Sequence, residues 1–236
     1  MSIIYMIRHA QASFGSQNYD QLSDLGKKQA QILATYLNRI SIMFDSIYTG
    51  MQLRHAQTLS AYQKLSADMD NHIPSINATS AFNEYDAEKV LKTFIPILLK
   101  ENPSLRSEVD EMLTNKRKFQ NIFSEAMLRW IKEAKTVADL ESWETFSDRV
   151  YKGIKTIMLS EGRDKKIAVF TSGGAISATI QKSLNLSNND TLMLSWQIVN
   201  TSITRFKFRD NRLILFGFND FNHLEIDNEE KLITYR

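Results

Sequence analysis

The feature that most constrains the fold of this chain is an alternation of short apolar segments with amphipathic ones. Residues 2–7 (SIIYMI), 44–48 (FDSIY) and 166–171 (KIAVFT) are short runs rich in β-branched and aromatic residues, which is typical of buried strands. Apolar residues recur at helical spacing in 24–38 and 143–160. Strands that alternate with helices predict a three-layer α/β/α sandwich around a mostly parallel central sheet.

The remaining segments extend this pattern. A helix is predicted from residue 53 to about 65, followed by a short strand at 73–79 (IPSINAT). A further helix is predicted at 175–183. TSITRFKF and RLILFGF alternate in polarity on either side of residues 209–211, which predicts an antiparallel hairpin near the end of the chain.

Residues from about 86 to 140 differ from the rest, because they are rich in Lys, Glu and Leu and carry few strand signals. Pro96 and Pro103 are predicted to divide them into helical pieces, of which 119–134 is the most strongly periodic. No linker-like composition flanks the segment. We therefore predict a single domain over 1–236 that carries a helical cap insertion at about 86–140.

The composition narrows the classes of protein. Lys and Arg total 29 against 27 Asp and Glu, a net charge of +2, which does not favour nucleic acid as the partner. The chain has no cysteine, so disulfides, thiolate metal sites and a thiol nucleophile are excluded. Its N-terminus lacks a basic region and an apolar run of signal length, and no segment has the length of a membrane span. These features predict a cytoplasmic protein without a membrane partner, whose oligomeric state the sequence leaves unknown.

Chemically versatile residues follow several of the predicted strands. Arg8 and His9 end the first strand, Arg54 lies just after the second, Glu84 follows the third, and Ser172-Gly173-Gly174 ends the fourth. In open α/β sheets, ligands bind at the carboxyl ends of the strands. We expect these residues to meet at one edge of the sheet.

These residue types suit a phosphoryl group. The guanidinium groups of Arg8 and Arg54 match phosphate oxygens, and His9 can attack phosphorus to form a phosphohistidine. Glu84 can protonate the leaving oxygen and then activate water. The backbone N–H groups of the turn that contains Gly173 add donors for an anion. Each of these residues alone is weak support, since an isolated Arg-His pair is more commonly a surface pair. It is the occurrence of all of them after successive strands that favours phosphoryl chemistry.

The motifs around these residues resemble those of the histidine phosphatase superfamily, also called phosphoglycerate-mutase-like proteins. IIYMIRHAQAS resembles the family's strand followed by Arg-His-Gly, with Ala10 in the glycine position. LSDLGKKQA, TGMQLRHAQT, FNEYDAE, ESWETFSDRV and NTSITRFKF resemble the motifs that follow, in the family's order. The resemblance implies a phosphohistidine at His9, an acid at Glu84, and neither a metal nor an organic cofactor.

One departure from the family pattern bears on activity. The family ends its fourth strand with Ser-His-Gly-Gly, whereas this chain has FTSGGAI, which puts Ser172 in the place of the second histidine. Losing one preorganised donor of this kind costs about 10²–10³ in rate, so both reduced and abolished turnover stay open. His223 is a conceivable replacement. His55 follows Arg54 directly and is predicted to point elsewhere on its helix.

The leading hypothesis is a phosphatase that hydrolyses a small phosphomonoester through a phosphohistidine at His9. Alternatives are a phosphoglycerate mutase and an impaired pseudoenzyme that binds a phosphorylated ligand. The groups predicted to bind the substrate phosphate are Arg8, Arg54, Ser172 and Gly173. The insertion is expected to cover the pocket. Any of its basic residues is a candidate for a second anionic group of the substrate, although most of them are expected to form a solvated face: Lys89, Lys92, Lys100, Arg106, Lys116, Arg117 and Lys118.

Overall fold

A computed structural model of the chain describes residues 1–13, 20–134, 137–226 and 229–235. The described part contains one six-stranded sheet in the order β3-β2-β4-β1-β5-β6. Its strands are β1 (Ser2–Arg8), β2 (Ser46–Thr49), β3 (Ile76–Ala78), β4 (Lys166–Thr171), β5 (Ile203–Arg209) and β6 (Arg212–Asp220).

The helices lie between these strands and after the last of them. They are α1 (Asp24–Arg39), α2 (Leu53–Asp68), α3 (Ala87–Glu101), α4 (Arg106–Glu111), α5 (Lys116–Glu133), α6 (Trp143–Ser160), α7 (Gly173–Leu184), α8 (Asn188–Ser195) and α9 (Asn222–Glu225). Among the described residues, none of these helices is both long and apolar enough to cross a membrane.

Four strands of the sheet run parallel. β1 pairs with β4, β4 with β2 and β2 with β3 in parallel, while β5 and β6 are antiparallel additions at the β1 edge. Arg8 of β1 lies opposite Thr171 of β4, and Thr49 of β2 lies opposite Phe170. The carboxyl ends of the three central strands therefore lie side by side, which confirms the mostly parallel sheet and the convergence of its strand ends.

Both faces of the sheet are buried because side chains alternate along each strand. On β1, Ile4 and Met6 pack in one apolar cluster with α6 and α7, while Tyr5 and Ile7 pack in another with α1 and α2. Each fully buried side chain of this kind contributes about 1.5–3 kcal/mol. The outcome is a helix layer on each side of the sheet, so the predicted three-layer α/β/α sandwich is confirmed.

Helices α3, α4 and α5 occupy most of the segment predicted as an insertion. Phe94 of α3 and Trp130 of α5 pack in one apolar cluster with Trp143 and Phe146 of α6. The boundaries of a single domain with an insertion at about 86–140 stay a prediction.

The prediction that Pro96 divides this segment is wrong, because Pro96 lies inside α3. Its ring is exposed, while Val90, Phe94 and Leu98 keep one continuous buried face on either side of it. Burial of that face outweighs the hydrogen bond that a proline cannot make. Pro103, by contrast, does follow the end of a helix.

Candidate active site

His9 lies in the loop directly after β1. Hydrogen bonds to three other parts of the chain hold the backbone there. The N–H of His9 donates to the carbonyl of Thr171, 2.8 Å away, and the side-chain amide of Asn200 donates to the carbonyl of His9 at 3.0 Å. The N–H of the next residue, Ala10, donates to Oγ1 of Thr58 on α2 at 3.0 Å. The position of this histidine is therefore fixed by its backbone as well as by its ring.

The contacts of the His9 ring define its protonation state. Nδ1 lies 2.7 Å from the carbonyl of Ala10, which only accepts, so Nδ1 carries the proton. Nε2 is then the basic nitrogen, and it accepts a hydrogen bond from Nε of Arg54 at 3.2 Å. Burial, reinforced by Arg54 and Arg8, lowers the pKa of His9 well below its usual value. The imidazole is neutral at physiological pH, with its lone pair on Nε2.

Arg54 reaches the site from the first turn of α2. Besides His9, its guanidinium contacts the carboxylate of Asp20, with Nη1 2.5 Å from Oδ1. The other oxygen of Asp20 accepts the N–H of Leu53 at 2.7 Å and so holds the start of the helix. Sequence reasoning missed Asp20, because no local pattern links it to a helix more than thirty residues away.

Arg8 lies in the same cavity as His9 and Arg54. Its guanidinium donates to the backbone carbonyls of Ile198 and Tyr235, the latter at 2.7 Å. These bonds anchor a buried cation beside the histidine, with its position set by two segments from the last third of the chain.

Glu84 lies opposite, between its own loop and the start of α7. Its carboxylate accepts the N–H of Gly174 at 3.0 Å and that of Tyr85 at 3.3 Å. Burial raises the pKa of Glu84, against the opposing effect of these bonds and of Arg54 and Arg8. A carboxyl group with a raised pKa beside an anion site is suited to donate a proton. The Gly174 N–H, predicted to bind the anion, is used by Glu84.

Ser172 does not line this cavity in the structure, although Gly173 does. The hydroxyl of Ser172 is fully buried and lies 2.6 Å from Nε2 of His55. His55, predicted to point elsewhere than Arg54, does not line the cavity, but its fully buried ring has its centroid 5.6 Å from that of His9. Burial, together with Arg54, lowers the pKa of His55 to about 3, so the ring is neutral.

His223 lies apart from these groups. It is buried, its ring stacks on Tyr36 at 5.4 Å, and Nε2 lies 2.9 Å from Oγ1 of Thr201. It does not line the cavity that contains His9, so it is not placed to act there in the role considered for it from the sequence. Within the described ranges, no three His, Asp or Glu side chains cluster in a way that could hold a metal ion.

The cavity that contains these groups measures about 350 Å³. His9, Arg8, Arg54, Glu84 and Gly173 line one end of it. Five of the six residues predicted for the site thus share one cavity, and Ser172 is the exception. This arrangement places a neutral imidazole, two guanidinium groups and a carboxyl group with a raised pKa around one cavity.

Residues that support this site come from the quoted motifs. The Gln29 side chain accepts the N–H of Gln11 at 2.8 Å, and the Gln57 side chain accepts that of Leu22 at 2.7 Å. Gly26 is needed because a Cβ there would lie 2.1 Å from the carbonyl oxygen of Gln11. These motif residues therefore contact the loop after β1 at Gln11 and at Leu22.

Solved structures of other proteins resemble this fold. A phosphoglycerate mutase from Bacillus anthracis has a TM-score of 0.64 at 18% identity, with 97% of each chain covered. A mutant phosphoserine phosphatase from Entamoeba histolytica, in complex with phosphoserine, has a TM-score of 0.62 at 18% identity, covering 95% of this chain and all of that one. Bacillus stearothermophilus YhfR has a TM-score of 0.66 at 13% identity, with the same coverage.

Comparison of the sequence with curated proteins and with family models tests which family the chain belongs to. A search of curated protein sequences gave no significant match. The family model of the histidine phosphatase superfamily (branch 1), however, matches residues 103–220, which is half of the chain. That match and the fold agree with the motifs around His9 and Arg54, which lie outside the matched range. The chain therefore belongs to the histidine phosphatase superfamily.

Proposed function

We propose that the protein is a phosphatase that hydrolyses a small phosphomonoester through a phosphohistidine at His9. The observation that carries the proposal is the state of this imidazole. It is buried and neutral, its proton is held on Nδ1 by a carbonyl, and its Nε2 lone pair lies in a cavity with two arginines. A nucleophile with this tautomer attacks through Nε2 without first losing a proton.

In the first step, Nε2 of His9 forms a bond to phosphorus while the P–O ester bond breaks. The electron pair of that bond goes to the leaving oxygen, which takes the proton of the Glu84 carboxyl group. Arg54 releases Nε2 and, with Arg8, donates to the phosphoryl oxygens, whose negative charge both cations stabilise.

In the second step, water attacks the phosphohistidine. The Glu84 carboxylate takes a proton from the water as its oxygen bonds to phosphorus. The P–N bond breaks, its electron pair returns to Nε2, and inorganic phosphate leaves. The groups assigned to phosphate binding are Arg8, Arg54 and Gly173, while Ser172 acts at most indirectly because its hydroxyl is bonded to His55.

The proposed partner is therefore a small phosphorylated substrate and not a nucleic acid. Similar structures hold phosphoserine and 3-phosphoglyceric acid, both small phosphomonoesters. A cytoplasmic location fits such substrates. No metal or organic cofactor has a role in this mechanism, since His9 and Glu84 supply the nucleophile and the proton.

The test is hydrolysis of phenyl phosphate together with trapping of a phosphoenzyme by rapid quench. We expect an acid-labile phosphoenzyme in the wild type and its loss in His9→Ala. His72→Ala is the matched control, because His72 is an exposed histidine outside the cavity. Tight phosphate binding without a phosphoenzyme would favour the pseudoenzyme, and transfer between the positions of phosphoglycerate would favour the mutase.

A further inference from the structure

We propose that the substrate's leaving group is apolar or aromatic and carries no second anionic group. This inference rests on the proposed function, because it concerns the part of the substrate beyond the phosphate. Two observations support it: the apolar side chains that line the cavity beyond the arginines, and the lack of a cation among the described lining residues there.

Part of the cavity wall comes from α3, from the residues that follow α4, from the first half of α5 and from the residue after α8; we call this part the apolar wall. Its apolar side chains are Leu91, Met112, Leu113, Phe119, Phe123 and Trp196. Phe119 and Phe123 stack on each other with centroids 5.6 Å apart. Such a surface stabilises an apolar or aromatic group by burial and by ring contacts.

The cavity also has room for a group larger than a three-carbon acid. It adjoins a second cavity of about 990 Å³, and the two share Ala12, Met112, Leu113, Phe119, Trp196 and Tyr235 as lining residues. A leaving group that enters over the apolar wall can therefore extend into the larger space.

The charges on these walls do not suit a second anion. Among the described lining residues of the His9 cavity, the cations are Arg8 and Arg54, and both lie at the phosphate end. Besides Glu84, one other described lining residue is charged, and it is acidic: Glu88. Its Oε1 lies 2.5 Å from Nζ of Lys92. In the outer cavity, Lys27 is paired with Asp24 at 2.8 Å. A carboxylate placed against the apolar wall would lose its water without gaining a partner.

Three of the basic residues considered for a second anion, Lys89, Lys92 and Lys118, contact neighbouring acceptors. Lys118 pairs with Glu111 at 2.6 Å, and the ammonium of Lys89 donates to the backbone carbonyl of Asp139. Neither lysine lines either cavity. These two lysines, and Lys92 with Glu88, fit the alternative expectation that most of the basic residues form a solvated face.

The experiment compares primary alkyl phosphates that differ mainly in the group beyond the ester oxygen: 2-phenylethyl phosphate, propyl phosphate, 3-phosphoglycerate and phosphoethanolamine. We expect kcat/KM to be at least about tenfold higher for the phenyl compound than for propyl phosphate, and at least about tenfold lower for 3-phosphoglycerate. A value for 3-phosphoglycerate or phosphoethanolamine above that of propyl phosphate would overturn the inference, as would no gain from the phenyl ring.

Binding of phosphonates separates this inference from the proposed function. Calorimetry with 3-phenylpropylphosphonate and 3-phosphonopropionate needs no turnover, so the apolar subsite is tested even if no substrate is hydrolysed. We expect tighter binding of the phenyl compound, and tighter binding of the carboxylate would overturn the inference. Hydrolysis of none of the four esters, with the expected order of phosphonate binding, would contradict the phosphatase and leave the subsite supported.

A charge introduced on the wall tests the same point. Leu113 lines both cavities and is 80% exposed, so Leu113→Lys is compatible with folding. We expect it to raise kcat/KM for 3-phosphoglycerate relative to propyl phosphate by about fivefold. Leu159→Lys is the matched control, since Leu159 is 81% exposed and lies outside both cavities. An equal ratio in the two variants would contradict the assignment of this wall to the leaving group.

Discussion

The protonation states of His9 and Glu84 predict the pH dependence of the proposed reaction. His9 must be neutral to attack, and its pKa is lowered well below the usual value, so activity is lost only when the pH falls through that low pKa. Glu84 must be protonated to act as an acid, and its pKa is raised, so kcat/KM falls as the pH rises through it. We expect a bell-shaped profile whose acid limb lies below the ordinary histidine pKa and whose alkaline limb lies above the ordinary glutamate pKa.

Glu84→Gln provides the comparison for this profile. The amide cannot titrate, so the variant should lose the alkaline limb that belongs to Glu84 while keeping the limb due to ionisation of the substrate. It should slow alkyl phosphates more than aryl phosphates, because poor leaving groups need the proton more. An unchanged alkaline limb in the variant would remove Glu84 from the acid role.

The contact between His55 and Ser172 predicts the outcome of restoring a histidine at position 172. Both side chains are fully buried and 2.6 Å apart, so Ser172→His would force an imidazole into occupied space. Overpacking of this kind costs about 1–3 kcal/mol. The exchange His55→Ser with Ser172→His conserves the total volume and should recover most of that loss.

Denaturant unfolding of the two single variants and the double variant measures this coupling as a double-mutant cycle. Ser172→Ala is the control, because it removes the hydroxyl without adding volume. Additive losses in the cycle would show that the two sites adjust independently. A single variant Ser172→His with wild-type stability would show that the space beside His55 is larger than the contact implies.

At the scale of elements, the junction of β4 and α7 holds the carboxyl group of Glu84. Gly174 in the first turn of α7 donates its N–H to Glu84, and a Cβ on Gly174 would lie 2.1 Å from the Oε1 atom of that carboxylate. Gly174→Ala should therefore displace Glu84 and lower kcat for alkyl phosphates by about tenfold or more. The new Cβ would also lie 2.7 Å from Cε1 of Tyr85, so we expect a loss of stability of about 1–3 kcal/mol as well.

Gly162→Ala is the control for this substitution, because a Cβ on Gly162 meets nothing within 4 Å. The measurement is kcat for propyl phosphate against kcat for an aryl phosphate in both variants. If the loss in Gly174→Ala were equal for the two substrates, the displaced group would not be the general acid.

The elements with strong periodicity were those that the sequence predicted best. α6 spans the predicted 143–160 and β4 the predicted 166–171, because each buries a regular set of side chains. α8 was missed, since its apolar residues do not lie on one face. The strand predicted at 73–79 is shorter in the structure: β3 spans only Ile76–Ala78. It is an edge strand, and all three of its residues are exposed.

The sequence predicted the site residues that directly follow the end of a strand. It did not predict the residues whose position depends on packing between distant parts of the chain. His9 and Glu84 reach the cavity because parallel strands end at one edge. The environment of His55 was not predictable: adjacent residues on a helix point about 100° apart, but the first turn of α2 is enclosed on several sides. Burial and Ser172 hold that ring near His9, although Arg54 precedes it directly.

At the scale of the whole molecule, the segment 229–235 joins distant parts of the chain to the site. Oγ1 of Thr234 accepts the side-chain amide of Gln29 at 2.8 Å and donates to the side-chain carbonyl of Asn200 at 2.9 Å. Asn200 in turn holds the carbonyl of His9, and the carbonyl of Tyr235 accepts from Arg8. The last residues described are thus bonded to Arg8 and to the Asn200 side chain that holds His9.

Thr234→Val keeps the shape of this side chain and removes both hydrogen bonds, which should cost about 1–3 kcal/mol of stability because two polar groups lose a partner. We also expect inorganic phosphate to raise the melting temperature less than in the wild type, since binding stabilises the folded state by RT ln(1 + [L]/Kd) and Kd should rise. Thr156→Val is the matched control, because the hydroxyl of exposed Thr156 bonds only to Lys152 of its own helix. An equal phosphate-induced shift in Thr234→Val and the wild type would show that this segment stabilises the fold without positioning Arg8 and His9.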